Sequence, residues 1–356
     1  MKKKVSIIIP VYNEEKFIYK CISSVLEFEL PENVEVEIFI ADGMSTDNTR
    51  QIIAENFSAC KHLTVIDNPM RYQANGINKA FKQTTGVYVM RLDAHAIYPK
   101  DYLLLCYTVS EKTLADNTGG VFVTLRGGDG FEAGVVQAIT THKFGVGDSS
   151  FRLDETEAFV DTVPYGFLRR EIFDKIGYLD ERLVRCQDYE FNRRILQDGG
   201  KIWMDSKIKI NYYNQATLGK FYSKQFYKEA PYNPYMWYLA PYAFAVRHAI
   251  TGVFAGGVIV GGLLSLLFEP IKYLFLGTLV LYFLLAFLSA IEQSVRFKQP
   301  LYIIILPFCF FLYHFIHGLG ILVGLIKLLT NTSPVQKTLE PWEGAGQYRA
   351  YPLKKN

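Results

Sequence analysis

Cysteine is scarce in this sequence. The five in 356 residues are scattered, and no two form a C-x-x-C pair. That pattern argues against a disulfide framework or a zinc knuckle, and it suits a soluble part kept in a reducing compartment. Net charge is nearly absent as well. The 38 basic and 35 acidic residues leave only +3, so no nucleic acid partner is expected. There is no G-x-G-x-x-G after the first apolar run and no G-x-x-x-x-G-K-[ST]. A dinucleotide-binding fold and a P-loop ATPase are therefore disfavoured. The start, Met-Lys-Lys-Lys before an apolar stretch, imitates a signal peptide. However, the stretch is short, contains Pro10 and leads into Tyr12-Asn-Glu-Glu15 without a small-residue cleavage site, so residues 5–11 are expected to be a first buried strand.

What the chain has in abundance is apolar side chains: 50% hydrophobic and 15% aromatic. The surplus lies after residue 230 and marks a membrane region, not a richer core. Before it, β-branched runs alternate with amphipathic stretches. Strands are expected at 5–11, 36–41, 63–66 and 87–92. A helix is expected over 13–28, with Phe17, Ile18, Cys21, Ile22, Val25 and Leu26 on one face. Further helices are expected from the Asp42-Gly-Met-Ser-Thr-Asp47 turn to residue 59, with Ser45–Asp47 as caps, and over 73–83. Alternating strands and helices, with strands that read as continuous apolar runs, predict an α/β fold: a mostly parallel central sheet with helices on both faces. Ligands bind outside the carboxyl ends of such strands. Tyr12-Asn-Glu14, Asp42-Gly43 and Asp93-Ala-His95 all fall there, which points to a nucleotide pocket. Beyond it, helices are expected at 102–114 and 131–141 and strands at 120–125 and 201–204. Residues 145–163 lack clear periodicity and read as a loop that closes over something. A helix starts at 187 with Asp188 in its first turn.

Tyr88-Val-Met-Arg-Leu-Asp-Ala-His95 is the stretch on which the chemistry turns. Asp93 and His95 are two apart, so on an extended chain both side chains point the same way. A carboxylate oxygen and a neutral imidazole can share one divalent ion, and that ion can hold a diphosphate. The competing reading of His95 is a structural histidine at a strand end.

Ser6-Ile-Ile-Ile-Pro-Val-Tyr-Asn-Glu-Glu15, Ala41-Asp-Gly-Met-Ser-Thr-Asp-Asn-Thr49, Asn68-Pro69, Gly76-Ile-Asn78, Leu92-Asp-Ala-His95 and Gln187-Asp188 occur in order over about 200 residues. Together they resemble family 2 glycosyltransferases with the GT-A fold. The Asp-Ala-His triplet with a membrane-embedded tail resembles the succinoglycan-type glucosyltransferase branch. The resemblance implies that Asp42 meets the nucleobase, usually uracil, and that Pro10, Tyr12 and Glu14 line base and ribose. Glu14 can equally be a carboxylate that favours a helix N-terminus. The resemblance also implies a divalent metal, Mn²⁺ or Mg²⁺, at Asp93 and His95. The usual family pattern has Asp at both ends of the triplet, and His in the second place suits Mn²⁺ better than Mg²⁺. Asp188 is the candidate general base. Sugar transfer needs a neutralised leaving diphosphate and one carboxylate to take the acceptor proton. One base and one metal imply a single displacement with inversion. The bland alternative for Asp188 is a first-turn carboxylate favoured by the helix dipole. Arg71 is the leading candidate for the diphosphate, ahead of Arg169, Arg170, Arg193 and Arg194. Processive relatives carry Gln-x-x-Arg-Trp after the base. Ile195-Leu-Gln-Asp-Gly-Gly-Lys-Ile-Trp203 does not match, which favours single-sugar addition.

The expected division is a GT-A domain over 1–218, an interfacial segment over 219–248, a transmembrane region over 249–329 and a polar tail over 330–356. In the interfacial segment Lys220, Lys224 and Lys228 interleave with aromatics and prolines, as suits a membrane surface. Residues 250–268, 273–291 and 301–326 are apolar runs of about the ~20 residues that cross a bilayer. Gly252, Gly256, Gly257 and Gly261 predict close helix packing. Arg296 and Lys298, in an expected loop over 292–300, place that loop with the catalytic domain on the cytoplasmic side. An odd number of spans would put the tail, with Lys337, Arg349, Lys354 and Lys355, outside; a re-entrant third segment would return it. The expected activity is a membrane-bound inverting hexosyltransferase of the cytoplasmic membrane. It would use a UDP-sugar donor and a polyprenyl-diphosphate-linked acceptor in polysaccharide synthesis. The alternatives are a polyprenyl-phosphate sugar synthase and a non-catalytic nucleotide-sugar-binding scaffold.

Overall fold

A computed structural model of the chain describes residues 2–153 and 157–335. These fall into two compact units, residues 2–123 with 157–212, and residues 124–153 with 213–335. The expected tail from residue 336 onward, with Lys337, Arg349, Lys354 and Lys355, lies outside the described residues.

The first unit is built on β1 (Lys3–Val11), β2 (Val34–Asp42), β3 (Leu63–Asp67) and β4 (Tyr88–Arg91), all parallel. Between them run α1 (Ile18–Leu26), α2 (Thr49–Phe57) and α3 (Gln73–Phe81). With β5 (Asn117–Leu125), β6 (Ala158–Phe159), β7 (Phe167–Arg169) and β8 (Ile202–Tyr213), the sheet order is β3-β2-β1-β4-β7-β5-β8-β6. β7 is antiparallel to β4 and to β5, and β6 is antiparallel to β8, so the far half is mixed. The chain steps outward from β1 to β3, then returns to the other side of β1 for β4. The crevice at that reversal is where open α/β sheets bind their ligands.

β1 is buried on both faces, which is why its sequence is a continuous apolar run and not an alternation. Ile18, Cys21, Ile22 and Val25 of α1 pack on it together with Tyr98, Tyr102 and Leu103. The helix starts later than its periodicity predicts. Asn13 is left-handed, with φ 56°, and turns the chain where the helix was expected to open. Phe17 and Leu26, expected on the buried face, are exposed. The described residues of 145–163 are not all loop: they include parts of two one-turn helices, α6 (Lys143–Val146) and α7 (Ser150–Leu153), in the second unit and the strand β6 in the first. β8 runs to Tyr213, far beyond the expected 201–204, with Ile208 and Ile210 buried between exposed Lys207 and Lys209.

The second unit holds α12 (Val246–Ser265), α13 (Glu269–Phe297) and α14 (Tyr302–Leu329), three helices long and apolar enough to cross a membrane. Before α12 come α10 (Leu218–Lys224), a π-helical turn (Gln225–Glu229) and α11 (Tyr232–Leu239). α5 (Phe131–Thr140) packs here. Its Val135, Val136 and Ile139 are buried against Tyr302, Leu306 and Phe310. The last carbonyls of that region are met by α13, where Gln293 Nε2 donates to Ala138 O at 3.1 Å and Arg296 Nη1 donates to Thr141 O at 2.9 Å. Residues 292–297, expected in a loop, belong to α13. Close helix packing occurs, but chiefly through α14. A Cβ on Gly318 would lie 2.0 Å from Thr251 O; of the four expected glycines, Gly252 and Gly261 are close, an added Cβ lying 2.9 Å from Ile321 and 3.1 Å from Phe275, whereas Gly256 and Gly257 meet nothing within 4 Å. α14 is one continuous helix through Pro307, without a break at which a re-entrant segment would turn back.

Candidate active site

The loops after β1 and β2 are laced together by side chain to backbone bonds. Asn13 N donates to Ser45 Oγ at 2.9 Å, Thr46 N to Asn13 Oδ1 at 2.8 Å, and Glu14 N to Thr49 Oγ1 at 2.8 Å. Ser45 and Thr46, expected as helix caps, serve this lacing instead. Asp47 does cap the first turn of α2, accepting from Thr49 N at 3.0 Å. Pro10 sits in a central strand, where a missing N–H normally costs a ladder bond. Val11 O accepts from Gly43 N on the β2 side and Ile8 O from Leu92 N on the β4 side. Pro10 therefore faces the β4 side, beyond the last pair of that ladder, Ile8 with Arg91, and no ladder bond is lost.

Asp42 ends β2 with its side chain 0% exposed. Its carboxylate accepts from Ser45 N at 3.2 and 3.3 Å and pairs closely with Arg50 Nε, while Arg50 Nη2 pairs with Asp67. Arg50 thus covers the carboxylate that the family comparison assigns to the base. The hydrogen bonds to Asp67 and Asp42 hold the Arg50 pKa above its ordinary value. Tyr12, half exposed, carries the Arg71 guanidinium 5.7 Å from its ring centroid, so these two candidates are brought together as a stacked pair.

β4 ends at Arg91, and residues 93–96 form a turn, with Ala96 N donating to Asp93 O at 3.4 Å. The expected extended spacing is therefore not what joins Asp93 and His95. The turn does so, with His95 Nε2 4.0 Å from Asp93 Oδ2 and His95 Nδ1 3.4 Å from Glu14 Oε1. Tyr98 Oη holds the backbone of this turn, accepting from Asp93 N at 2.8 Å. Asp93 Oδ1 accepts from Arg91 Nη2 at 2.8 Å and from Gln73 Nε2 at 3.0 Å. Gln73 Oε1 in turn accepts from Gln187 Nε2 at 2.6 Å. Asp188 follows in the first turn of α9 (Gln187–Gln197), half exposed, with Oδ2 3.7 Å from Arg91 Nη1. Burial alone would lower the Arg91 pKa, but Asp93 and then Asp188 outweigh it and hold it above its ordinary value. Cys21 Sγ lies 3.6 Å from Asp93 O. Burial, helped by Asp93 and Glu14, pushes that thiol up to about 12, so it stays protonated and is no nucleophile.

Backbone strain gathers at the same edge. Asn13, Met44, Arg71, Tyr165 and Cys186 have φ between 56° and 64°. Each is a candidate residue, touches one or lies within two positions of one. Left-handed non-glycine residues are costly and persist where the surroundings over-determine them, which is typical of functional loops. Other expected cations are spent on structure. Arg169 Nη2 donates to Ser110 O at 2.9 Å, Arg170 Nη1 to Thr84 Oγ1 at 2.9 Å, and Arg194 is fully buried against Glu190. Sequence reasoning missed Arg50, Gln73 and Arg91. For Arg91 a signal existed: one charge inside an apolar strand, two residues before Asp93.

Parallel strands to a switch point, a mixed far half and an acidic crevice in place of a glycine-rich one define a GT-A glycosyltransferase fold. Residues 6–177 form a glycosyl transferase family 2 domain. Over 91% of its length the chain is 28% identical to 97% of a dolichyl N-acetyl-α-D-glucosaminyl phosphate 3-β-D-2,3-diacetamido-2,3-dideoxy-β-D-glucuronosyltransferase of Methanococcus voltae. Over 60% of its length it is 32% identical to 64% of the succinoglycan biosynthesis protein ExoA of Rhizobium meliloti. Among solved structures, the mannosyltransferase PcManGT of Pyrobaculum calidifontis, in complex with GDP-Man and Mn²⁺, superposes with a TM-score of 0.54 at 15% identity, covering 94% of this chain and 89% of that one. The chain thus carries a match to glycosyl transferase family 2 over residues 6–177 and is similar to glycosyltransferases over most of its length.

Proposed function

We propose that this glycosyltransferase is membrane-bound and inverting, and that it moves one sugar from a UDP-sugar to a saccharide carried on a polyprenyl diphosphate. The catalytic domain, residues 1–218 in this reading, would face the cytoplasm, with the interfacial segment at 219–248 and the spans at 249–329 holding it at the lipid. The observation that carries the proposal is the grouping of Asp93 and Asp188 on Arg91 at the switch-point crevice, with His95 beside Asp93. The acceptor class draws support from the Methanococcus relative, named for a dolichyl phosphate substrate, and from the Rhizobium relative, named for succinoglycan synthesis.

The donor atoms suit a divalent ion shared with substrate. Neighbouring ligands at about 2.1 Å from an octahedral ion lie about 3 Å apart, so the half-exposed His95 ring would close by about 1 Å to share one with Asp93. Asp93 Oδ2 and His95 Nε2 are 4.0 Å apart. Among the described residues no set of three His, Cys, Asp or Glu side chains is arranged to hold a metal, so the diphosphate itself would have to complete the shell, as is usual for Mg²⁺ and Mn²⁺ at phosphate sites. Asp93 and His95 would hold such an ion, and it would supply the positive charge that neutralises the leaving diphosphate. Tyr12 stacks on the base, Pro10 and Glu14 line it and the ribose, Asp42 with Arg50 reads its polar edge, and Arg71 closes over the phosphates. Asp188 Oδ takes the proton of the acceptor hydroxyl as that oxygen bonds to the anomeric carbon. The bond from that carbon to the diphosphate breaks on the opposite face, and the configuration inverts.

Asp188→Asn tests this reading. UDP release from UDP-GlcNAc, with a short-chain polyprenyl-diphosphate GlcNAc as acceptor, is expected to fall by about 10²–10⁴ while UDP affinity stays nearly unchanged. A fully active variant removes Asp188 as the base.

A further inference from the structure

We propose that Arg91 is a positioning residue that clamps the candidate base to the candidate metal carboxylate, and that Gln73 closes the clamp from the opposite side. This rests on the functional reading above and adds what the two carboxylates alone do not provide. Five side chains form one connected set across three elements and a turn: Arg91 from β4, Asp93 from the turn that follows it, Gln73 from α3, and the Gln187-Asp188 pair at the start of α9. Arg91 is 12% exposed and lies with its guanidinium 5.2 Å from the Tyr165 ring centroid. A planar fork held against an aromatic face cannot swing away without losing that contact, so its two terminal nitrogens stay aimed in fixed directions.

The geometry divides the work between the oxygens. Asp93 Oδ1 is engaged by Arg91 at 2.8 Å and by Gln73 at 3.0 Å, while Oδ2 is the oxygen turned toward His95 at 4.0 Å. Arg91 and Gln73 therefore select which oxygen faces the ion. On the other arm, Nη1 stands 3.7 Å from Asp188 Oδ2, too far for a hydrogen bond but close enough to orient the carboxylate. Oδ1 of Asp188 accepts from Tyr189 N at 2.9 Å. The base is steered without being tied up, and it remains half exposed toward an acceptor. One guanidinium thus sets the separation between the group that holds the leaving diphosphate and the group that receives the acceptor proton. Lysine cannot replace it, because a single ammonium does not reach both carboxylates with fork geometry.

The test is calorimetry of UDP binding to the full-length detergent-solubilised protein, in Mn²⁺ and in EDTA, combined with the UDP-release assay. Arg91→Lys is expected to lower the Mn²⁺-dependent part of UDP affinity by about tenfold or more, as outer partners of metal ligands do. Its affinity in EDTA and its melting temperature should stay close to the parent's. Turnover should fall, and at saturating UDP-sugar and Mn²⁺, where the effect through Asp93 is filled in, Arg91→Lys with Asp188→Asn together should be no slower than Asp188→Asn alone, because what remains of the Arg91 effect acts through that base. Gln73→Leu, which removes the second donor to Asp93 Oδ1, should weaken the same metal-dependent part and serves if Arg91→Lys does not fold. The proposal is overturned if both variants keep the parental gain from Mn²⁺, or if they lose affinity equally in EDTA, the mark of a merely structural residue. If the parent itself gains nothing from Mn²⁺, the functional reading fails first, and the proposal with it.

Discussion

Arg194→Met is the most demanding structural perturbation in the catalytic unit. Arg194 and Glu190 are 0% and 2% exposed and form a bidentate pair within α9, at 2.9 and 2.6 Å. Arg194 Nη1 also donates to Ile176 O at 2.8 Å, at the end of α8 (Glu171–Ile176). Methionine keeps much of the apolar stem and deletes all three bonds. It takes the Arg194 charge away from the buried Glu190 carboxylate, and breaking a buried pair in this way costs about 3–5 kcal/mol. For a domain of this size that corresponds to a melting temperature lower by on the order of 10 °C. Asp188 rides on the first turn of the same helix, so transfer should fall together with stability. Glu190→Leu combined with Arg194→Met removes both charges and should recover most of the lost stability, since a buried pair is worth little more than a packed apolar pair. Thermal unfolding in detergent of the parent, both single variants and the double variant closes the cycle. A single variant that melts within about 2 °C of the parent, or a double variant no better than the single, would refute the claim that this pair anchors α9.

Two further outcomes are expected. His95→Ala should weaken UDP binding in Mn²⁺ but not in EDTA; an equal loss in chelator would make His95 structural. Glu37 accepts from Ser6 Oγ and from Thr85 N, each at 2.6 Å. Burial alone would raise its carboxyl, but these bonds outweigh it and hold it below its ordinary 4.5. A depressed carboxyl stabilises the fold above its unfolded pKa and stops doing so as pH falls through the folded value. Glu37→Gln should therefore lower the melting temperature at pH 7, with the difference shrinking below about pH 4.5; a difference that does not change with pH would contradict the assignment.

Much of the fold is legible in the sequence because its first half is local. Continuous apolar runs mark the parallel strands, and polar clusters fall where those strands end. β8 shows the limit of a short reading: Lys207-Ile-Lys-Ile210 alternates with period two, a strand signal beyond the four residues expected. Ser45 and Thr46 were assigned to the wrong partner because a helix cap and a cross-loop tie use the same hydroxyl chemistry; only the left-handed turn at Asn13 decides between them. Arg50 carries no local signal at all, since it reaches Asp42 and Asp67 from another element. Val135, Val136 and Ile139 announce a buried helix, but a single sequence does not reveal that Tyr302 and Phe310 bury it. At the site, Asp93, His95 and Asp188 could be singled out as reactive types, whereas the Gln73 and Arg91 bonds that orient them depend on tertiary register.

The central claim is that the crevice between β1 and β4 takes a nucleoside diphosphate together with a divalent ion. The direct measurement is calorimetry of UDP, GDP, CDP and TDP binding to the detergent-solubilised protein, first with Mn²⁺ and then with EDTA. The account predicts tight binding of UDP, strongly weakened by EDTA, with the other three much weaker. Failure of every nucleotide to bind would contradict it.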